Sequence, residues 1–118
     1  QKLAEAMELV GVLALETFVT AEGKLLLNEI APRPHNSFHW TIEGCATSQF
    51  TQLTRCLAGM PLGHTHSYGQ WQTDNLLGED VPSLEKLAAE PGLHLHLYGK
   101  AIAKRGRKMG HTNRMITR

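Results

Sequence analysis

Residues 25–40 read LLLNEIAPRPHNSFHW. Four of the first six are Leu or Ile, which predicts a strand. Pro32 and Pro34 then end it, and Arg33, His35, Asn36, Ser37 and His39 crowd into the next eight positions. A buried strand that runs straight into so many polar side chains is placing chemistry at the end of a sheet. Upstream, residues 12–20 (VLALETFVT) carry aliphatic and β-branched residues and predict a second strand. The short AEGK turn between them makes the pair an antiparallel hairpin.

The register of that hairpin decides where its two glutamates lie. With Glu22 and Gly23 as a two-residue loop, Ala21 pairs with Lys24 and Glu16 falls opposite Glu29. A four-residue loop over 21–24 keeps this register, and a three-residue loop breaks it. Directly opposed side chains stand about 4.5–5.5 Å apart at Cβ. At about 5 Å and an effective dielectric near 20, two carboxylates repel by on the order of 3 kcal/mol, less where water screens them. A divalent cation between them reverses the sign, and magnesium prefers such oxygen ligands. Two readings of the hairpin stay level: a solvated face with incidental glutamates, and a metal-binding pair set in mostly apolar strands.

The cluster beyond the strand leans toward the second. The Arg33 guanidinium is a planar fork for carboxylate or phosphate oxygens. His35 can donate or transfer a proton near neutral pH. Asn36 and Ser37 add donors, and the two prolines restrict the loop's freedom. Metal-binding carboxylates beside fixed anion-binding groups are what phosphoryl transfer requires.

Outside this region the chain reads as ordinary globular protein: 118 residues, 42% hydrophobic, 19% charged, with no apolar run of membrane-spanning length. It opens on Gln1 and is expected to be a piece of a longer, cytoplasmic polypeptide. Cys45 and Cys56 are expected to be reduced. His64-x-His66 and His94-x-His96 lack cysteine company and predict solvent-facing histidines rather than a zinc site. Charge is unevenly spread: residues 1–99 hold five Lys/Arg against eleven Asp/Glu, whereas residues 100–118 hold seven Lys/Arg and no acid. That tail either binds anions or lies on an acidic surface.

Along the chain, residues 2–10 predict a helix stopped by Gly11. Thr47 or Ser48 caps a helix bearing Phe50, Leu53 and Leu57 and ending at Gly59. Residues 63–72 read as a loop and mark the expected boundary, giving domains 1–62 and 63–118. A short strand over 73–77, a helix over 83–89 and an alternating strand over 93–98 follow, and the basic tail ends in a further strand.

The run NEIAPRPHNSFHWTIEGCATSQF closely resembles the signature NEIAPRxHNSGHWT…SQF of the 5-(carboxyamino)imidazole ribonucleotide synthetase family, and LYGK…GRKMGH over 97–111 resembles its C-terminal motif. The two matches occur in the family's order and span nearly the whole chain. The resemblance implies an α+β fold: the C-terminal part of an ATP-grasp lobe, an antiparallel hairpin plus helices, followed by a small, mostly-β domain of rudimentary hybrid-motif type. It implies an ATP- and bicarbonate-dependent ligase of purine biosynthesis that carboxylates 5-aminoimidazole ribonucleotide through carboxyphosphate. By the same resemblance Glu16 and Glu29 hold Mg2+ or Mn2+. Arg33, His35, Asn36 and Ser37 hold bicarbonate or carboxyphosphate and the amine acceptor, and Lys100, Arg107 and Lys108 hold the ribonucleotide's 5′-phosphate. ATP is the co-substrate, and the family is often dimeric. The nucleotide clamp belongs to upstream ATP-grasp lobes, so this chain alone is expected to be inactive.

Three departures from the family pattern stand out. Phe38 replaces a usual Gly, Lys104-Arg105 replaces Arg-Pro, and Thr112-Asn113-Arg114-Met115 replaces a more apolar strand. Another carboxylating or formylating ATP-grasp ligase, or a non-catalytic interaction domain derived from one, remains an alternative. A nucleic-acid-binding arm is disfavoured because the tail lacks interleaved aromatics.

Overall fold

The computed structural model describes residues 2–117. Helix α1 (Lys2–Ala6) is shorter than its sequence predicts and gives way to a turn in which Glu8 adopts a φ of 49°. A five-residue helix with no buried side chain has nothing to propagate against.

Strands β1 (Ala14–Val19) and β2 (Leu25–Ala31) form the expected hairpin. Its turn is not the expected one. Thr20 N–H donates to Lys24 O at 2.8 Å and Gly23 N–H to Thr20 O at 2.9 Å, closing a three-residue loop with Gly23 at φ +79°. Near the turn, Val19 therefore pairs with Leu25, Phe18 with Leu26 and Thr17 with Leu27. This is the register that separates Glu16 from Glu29. A bulge restores it: Asn28 is an extra residue on β2, and beyond it Glu16 pairs with Glu29, Leu15 with Ile30 and Ala14 with Ala31.

The hairpin was also expected to be buried, and it is open. Leu15, Phe18, Val19, Leu25, Leu26, Leu27 and Ile30 are all exposed, because the two-stranded ribbon has no further layer over it in this chain. Only Ala14 and Ala31, at the site end, are buried.

A 3-10 turn (Asn36–Phe38) and the short helix α2 (Thr41–Gly44) lead to α3 (Gln49–Leu57). Ser48 caps α3, its Oγ accepting from Thr51 N–H at 3.2 Å, and the chain turns away at Gly59 with φ +64°. Two glutamines one turn apart on α3 each hold both main-chain groups of a distant residue. Gln52 holds Gly63, its Nε2 donating to the carbonyl at 2.7 Å and its Oε1 accepting from the amide at 3.0 Å. Gln49 holds His35 in the same way.

The remaining strands are β3 (Gln70–Leu77), β4 (Leu93–Leu97) and β5 (Lys108–Thr117), in the antiparallel order β3-β5-β4. β3 begins three residues earlier than expected because the long β5 offers it partners out to Thr117. The expected helix over 83–89 appears as a 3-10 turn (Gly78–Ser83) running into α4 (Leu84–Ala88). β5, flanked on both sides, buries Met109, His111, Thr112 and Asn113. Gly110 lies at the crossing with β4, where a Cβ would stand 2.1 Å from His96 O, so only glycine fits. An isolated bridge, Cys45 to Ser67, ties the linker back to the end of α2. Both cysteines are free.

Candidate functional site

The bulge does more than set register. Asn28 Nδ2 donates to Glu16 Oε1, so the residue that corrects the ladder also anchors one carboxylate. The second oxygen of Glu16 lies 3.5 Å from His35 Nε2. Glu29 Oε1 accepts from Arg33 Nη2 at 3.2 Å, and Arg33 Nη1 donates to Pro34 O at 3.2 Å. Each carboxylate thus has its own counter-group, and both stay substantially exposed. The requirement for a cation to relieve two buried glutamates is therefore weaker here than the strand pattern suggests.

His35 caps the 3-10 turn. Its Nδ1 accepts from Ser37 N–H at 3.4 Å and lies 2.9 Å from Ser37 Oγ. With Nδ1 used as an acceptor, the ring proton of neutral His35 is at Nε2, facing Glu16. Asn36 enters through its backbone, its carbonyl accepting from His39 N–H at 3.2 Å. The structure therefore gathers Glu16, Glu29, Arg33, His35 and Ser37 into one group, with Asn36 shaping the turn beneath them.

Phe38 needs none of the backbone freedom of glycine. Glu8 is the sole non-glycine residue at positive φ among the described residues. The Phe38 carbonyl accepts from Thr41 Oγ at 2.6 Å, and its ring borders a cleft of about 300 Å3 shared with Leu13, Arg33, Trp40 and Gln49. The substitution adds an apolar wall beside the site without distorting the loop.

The cations of the tail are placed less tightly. Lys100 Nζ donates to Lys108 O at 2.6 Å and sits 5.5 Å from the centre of the Tyr98 ring. Arg107 Nη1 instead donates to Ile102 O at 3.0 Å, so its guanidinium is tied to its own loop. Glu79 pins that loop, accepting from Gly106 N–H at 2.8 Å. Lys100 and Lys108 are thus brought together, while the Arg107 guanidinium bonds to Ile102 O instead.

Between the two groups lies a junction that sequence reasoning missed. His39 stacks on Phe50 with ring centres 5.6 Å apart and lies 4.5 Å from His111, which stacks on His96 at 4.5 Å. Glu43, on α2, takes His96 Nε2 at 2.6 Å on one oxygen and Asn113 Nδ2 at 2.7 Å on the other. Asn113 is fully buried; it also donates to His39 O at 3.0 Å and accepts from Thr73 Oγ1 at 2.7 Å. The polar departure at 112–114 is thereby explained at Asn113, where each amide atom has a partner. His96 is a correction: read as solvent-facing, it is half-buried and bonded to Glu43, while His94 is exposed as expected.

Burial pushes the His111 ring down to about 4, helped by the neighbouring His39 and His96 and opposed by Glu43. Its Nδ1 meets Tyr98 OH at 2.9 Å, whereas its buried Nε2 has no partner. His39 is lowered too, by burial first and then by the charges of Lys108, His35 and His96. Lys108 is therefore felt at His39, which links the basic tail electrostatically to the loop carrying His35.

As a cation site the hairpin end is partial. Glu16 and Glu29 supply carboxylates on one face, but no group of three or more His, Cys, Asp or Glu positioned for a metal occurs among the described residues. That set suits a magnesium ion, which keeps water and phosphate oxygens in its shell.

The hairpin with its opposed carboxylates, the capped helix and the three-stranded module each fall within a stretch that matches known proteins. The ATP-grasp domain family model matches residues 1–50, and that of the phosphoribosylaminoimidazole carboxylase C-terminal domain matches residues 73–117. The N5-carboxyaminoimidazole ribonucleotide synthase of Brucella melitensis is 48% identical over the whole chain, which covers 33% of that protein. The crystal structure of N5-carboxyaminoimidazole ribonucleotide synthetase from Thermus thermophilus superposes with a TM-score of 0.87 at 50% identity, over 97% of this chain and 31% of that one. An Aspergillus clavatus synthase in complex with ADP and 5-aminoimidazole ribonucleotide superposes at 0.83 with 35% identity, over 91% and 30%. Over nearly its whole length the chain is similar to the C-terminal portion of N5-carboxyaminoimidazole ribonucleotide synthases, joining the end of an ATP-grasp domain to the C-terminal domain found in them, and it spans about a third of the length of the curated relatives it matches.

Proposed function

We propose that this chain supplies the metal- and acceptor-binding end of a ligase that carboxylates 5-aminoimidazole ribonucleotide at the expense of ATP and bicarbonate. The observation that carries this reading is the convergence of Arg33 and His35 on the opposed pair Glu16 and Glu29. Glu16 and Glu29 hold Mg2+ or Mn2+, which, when bound, neutralises charge on the nucleotide phosphates. Arg33 and the donors of Asn36 and Ser37 hold bicarbonate while one of its oxygens attacks the γ-phosphorus and ADP departs. The ribonucleotide amine then attacks the carboxyl carbon of carboxyphosphate, phosphate leaves, and the amine proton is taken up by a neighbouring base. His35 orients the acceptor there, and Lys100, Arg107 and Lys108 hold its 5′-phosphate.

The division at residue 62/63 separates the ATP-grasp part from the β module. The exposed apolar residues of β1 and β2 face the remaining ATP-grasp lobes, which bring the nucleotide clamp. The test is ADP release by the full-length polypeptide with magnesium and bicarbonate, with and without 5-aminoimidazole ribonucleotide. Strong stimulation by the ribonucleotide is expected. A folded, ATP-binding protein that shows none has another acceptor or no ligase chemistry.

A further inference from the structure

Gln49 makes more of its carboxamide than a surface helix residue needs to. Its Oε1 accepts from His35 N–H at 2.9 Å and its Nε2 donates to His35 O at 2.9 Å. These two bonds fix which end of the amide is oxygen, since a main-chain N–H needs an acceptor and a carbonyl a donor. The second hydrogen on Nε2 then points to His39 Nδ1 at 3.0 Å. An amide nitrogen does not accept, so His39 Nδ1 must be bare and its proton must sit on Nε2. Gln49 is itself anchored, its N–H donating to Thr41 Oγ1 at 3.1 Å just after the Ser48 cap.

We propose that Gln49 is the positioning residue of the reactive loop: its carboxamide clamps both main-chain groups of His35, so that the ring is presented to Glu16, and it sets the tautomer of His39 beside the β module. The role assigned to His35 rests on the ligase reading; the clamp itself does not. The loop between Pro34 and the Asn36–Phe38 turn has no strand neighbour to hold it, and Gln49 supplies the pair of bonds that a neighbouring strand would have made. Gln52 is an internal comparison. It holds Gly63 through the same two bonds from the same helix, but nothing of the candidate site hangs on Gly63.

The test uses the full-length polypeptide, selectively labelled at histidine, and three variants. Ring nitrogen NMR should find His39 as the Nε2–H tautomer in the parent, with the His35 amide protected from hydrogen exchange. Gln49→Glu keeps the acceptor for His35 N–H and loses both donors. It should leave that amide protected while moving the His39 proton to Nδ1. Gln49→Leu should speed exchange at His35 by about tenfold, and Gln52→Leu should leave His35 and His39 unchanged. A parent His39 protonated at Nδ1, an unprotected His35 amide in the parent, or an unmoved tautomer in Gln49→Glu would each overturn the clamp. The parent and Gln49→Glu decide the matter even where Gln49→Leu fails to fold. In the full-length polypeptide, Gln49→Glu should lower kcat with KM for ATP unchanged, and an unaltered kcat would also overturn the positioning role. A clamp seen by NMR in a protein without ribonucleotide-stimulated ADP release would refute the ligase reading alone.

Discussion

The hairpin and the junction around β5 hold polar groups in opposite ways. At the hairpin end, Glu16, Glu29 and Arg33 are well exposed and paired within one hairpin and its following loop, Asn28 with Glu16 across 12 residues and Arg33 with Glu29 across 4. At the junction, Glu43, His96 and Asn113 are shielded and paired across 53 to 74 residues of chain. Exposed pairs add little to stability and can be rearranged when a ligand arrives. Buried ones are costly to break, because the partner left behind has no water to turn to. The first arrangement suits a site and the second a joint.

Substitutions can break that comparison. On the proposed metal-binding role of Glu29, Glu29→Gln should lower turnover of the full-length polypeptide by about 1,000-fold and shift urea stability by less than about 0.5 kcal/mol. A comparable loss of stability would show that the hairpin end is structural. Asn113→Leu should do the reverse, costing about 3 kcal/mol in urea unfolding by stranding Glu43 and Thr73; a cost below about 1 kcal/mol would deny the junction its role.

The pH dependence of stability sharpens the contrast. The folded-state value for His111, about 4, lies below its ordinary one, so the folded chain resists a proton that the unfolded chain accepts. The contribution is complete above pH 6.5 and is lost as pH falls toward 4, by on the order of 3 kcal/mol. His111→Gln should flatten that part of the profile; an unchanged slope would place the acid-sensitive group elsewhere. The smallest effect belongs to Arg33→Ala. It should move thermal stability by no more than about 0.5 kcal/mol, since the pair with Glu29 is exposed.

Local features of the sequence were legible. The opposition of Glu16 and Glu29, the Ser48 cap and the strand at 93–97 all follow from spacing over a few residues. The route to the first was wrong, since a three-residue turn and a bulge replaced an even-length loop. The open hairpin was misread because apolar content announces a buried face without saying which chain covers it. His39 and His111 stand within recognisable motifs, yet nothing local says their rings stack. Glu43 lay outside every predicted element, and Gln49 lay in the capped helix off its apolar face. Their partners were beyond the reach of any periodicity, and alternation along β5, which puts His111 and Asn113 on one face, was the one available clue.

The bulge at Asn28 can also be stated as parity. A strand presents alternate residues to alternate faces, so a hairpin carries an odd or even frame set at its turn. The turn here sets one frame, the two carboxylates need the other, and a single unpaired residue converts between them. Adding one residue to the turn and deleting Asn28 should then cancel, leaving the glutamates opposed on an uninterrupted ladder, while either change alone throws them out of phase. The hairpin tip is thus free to vary in length, provided that a second, matching change follows on the same strand.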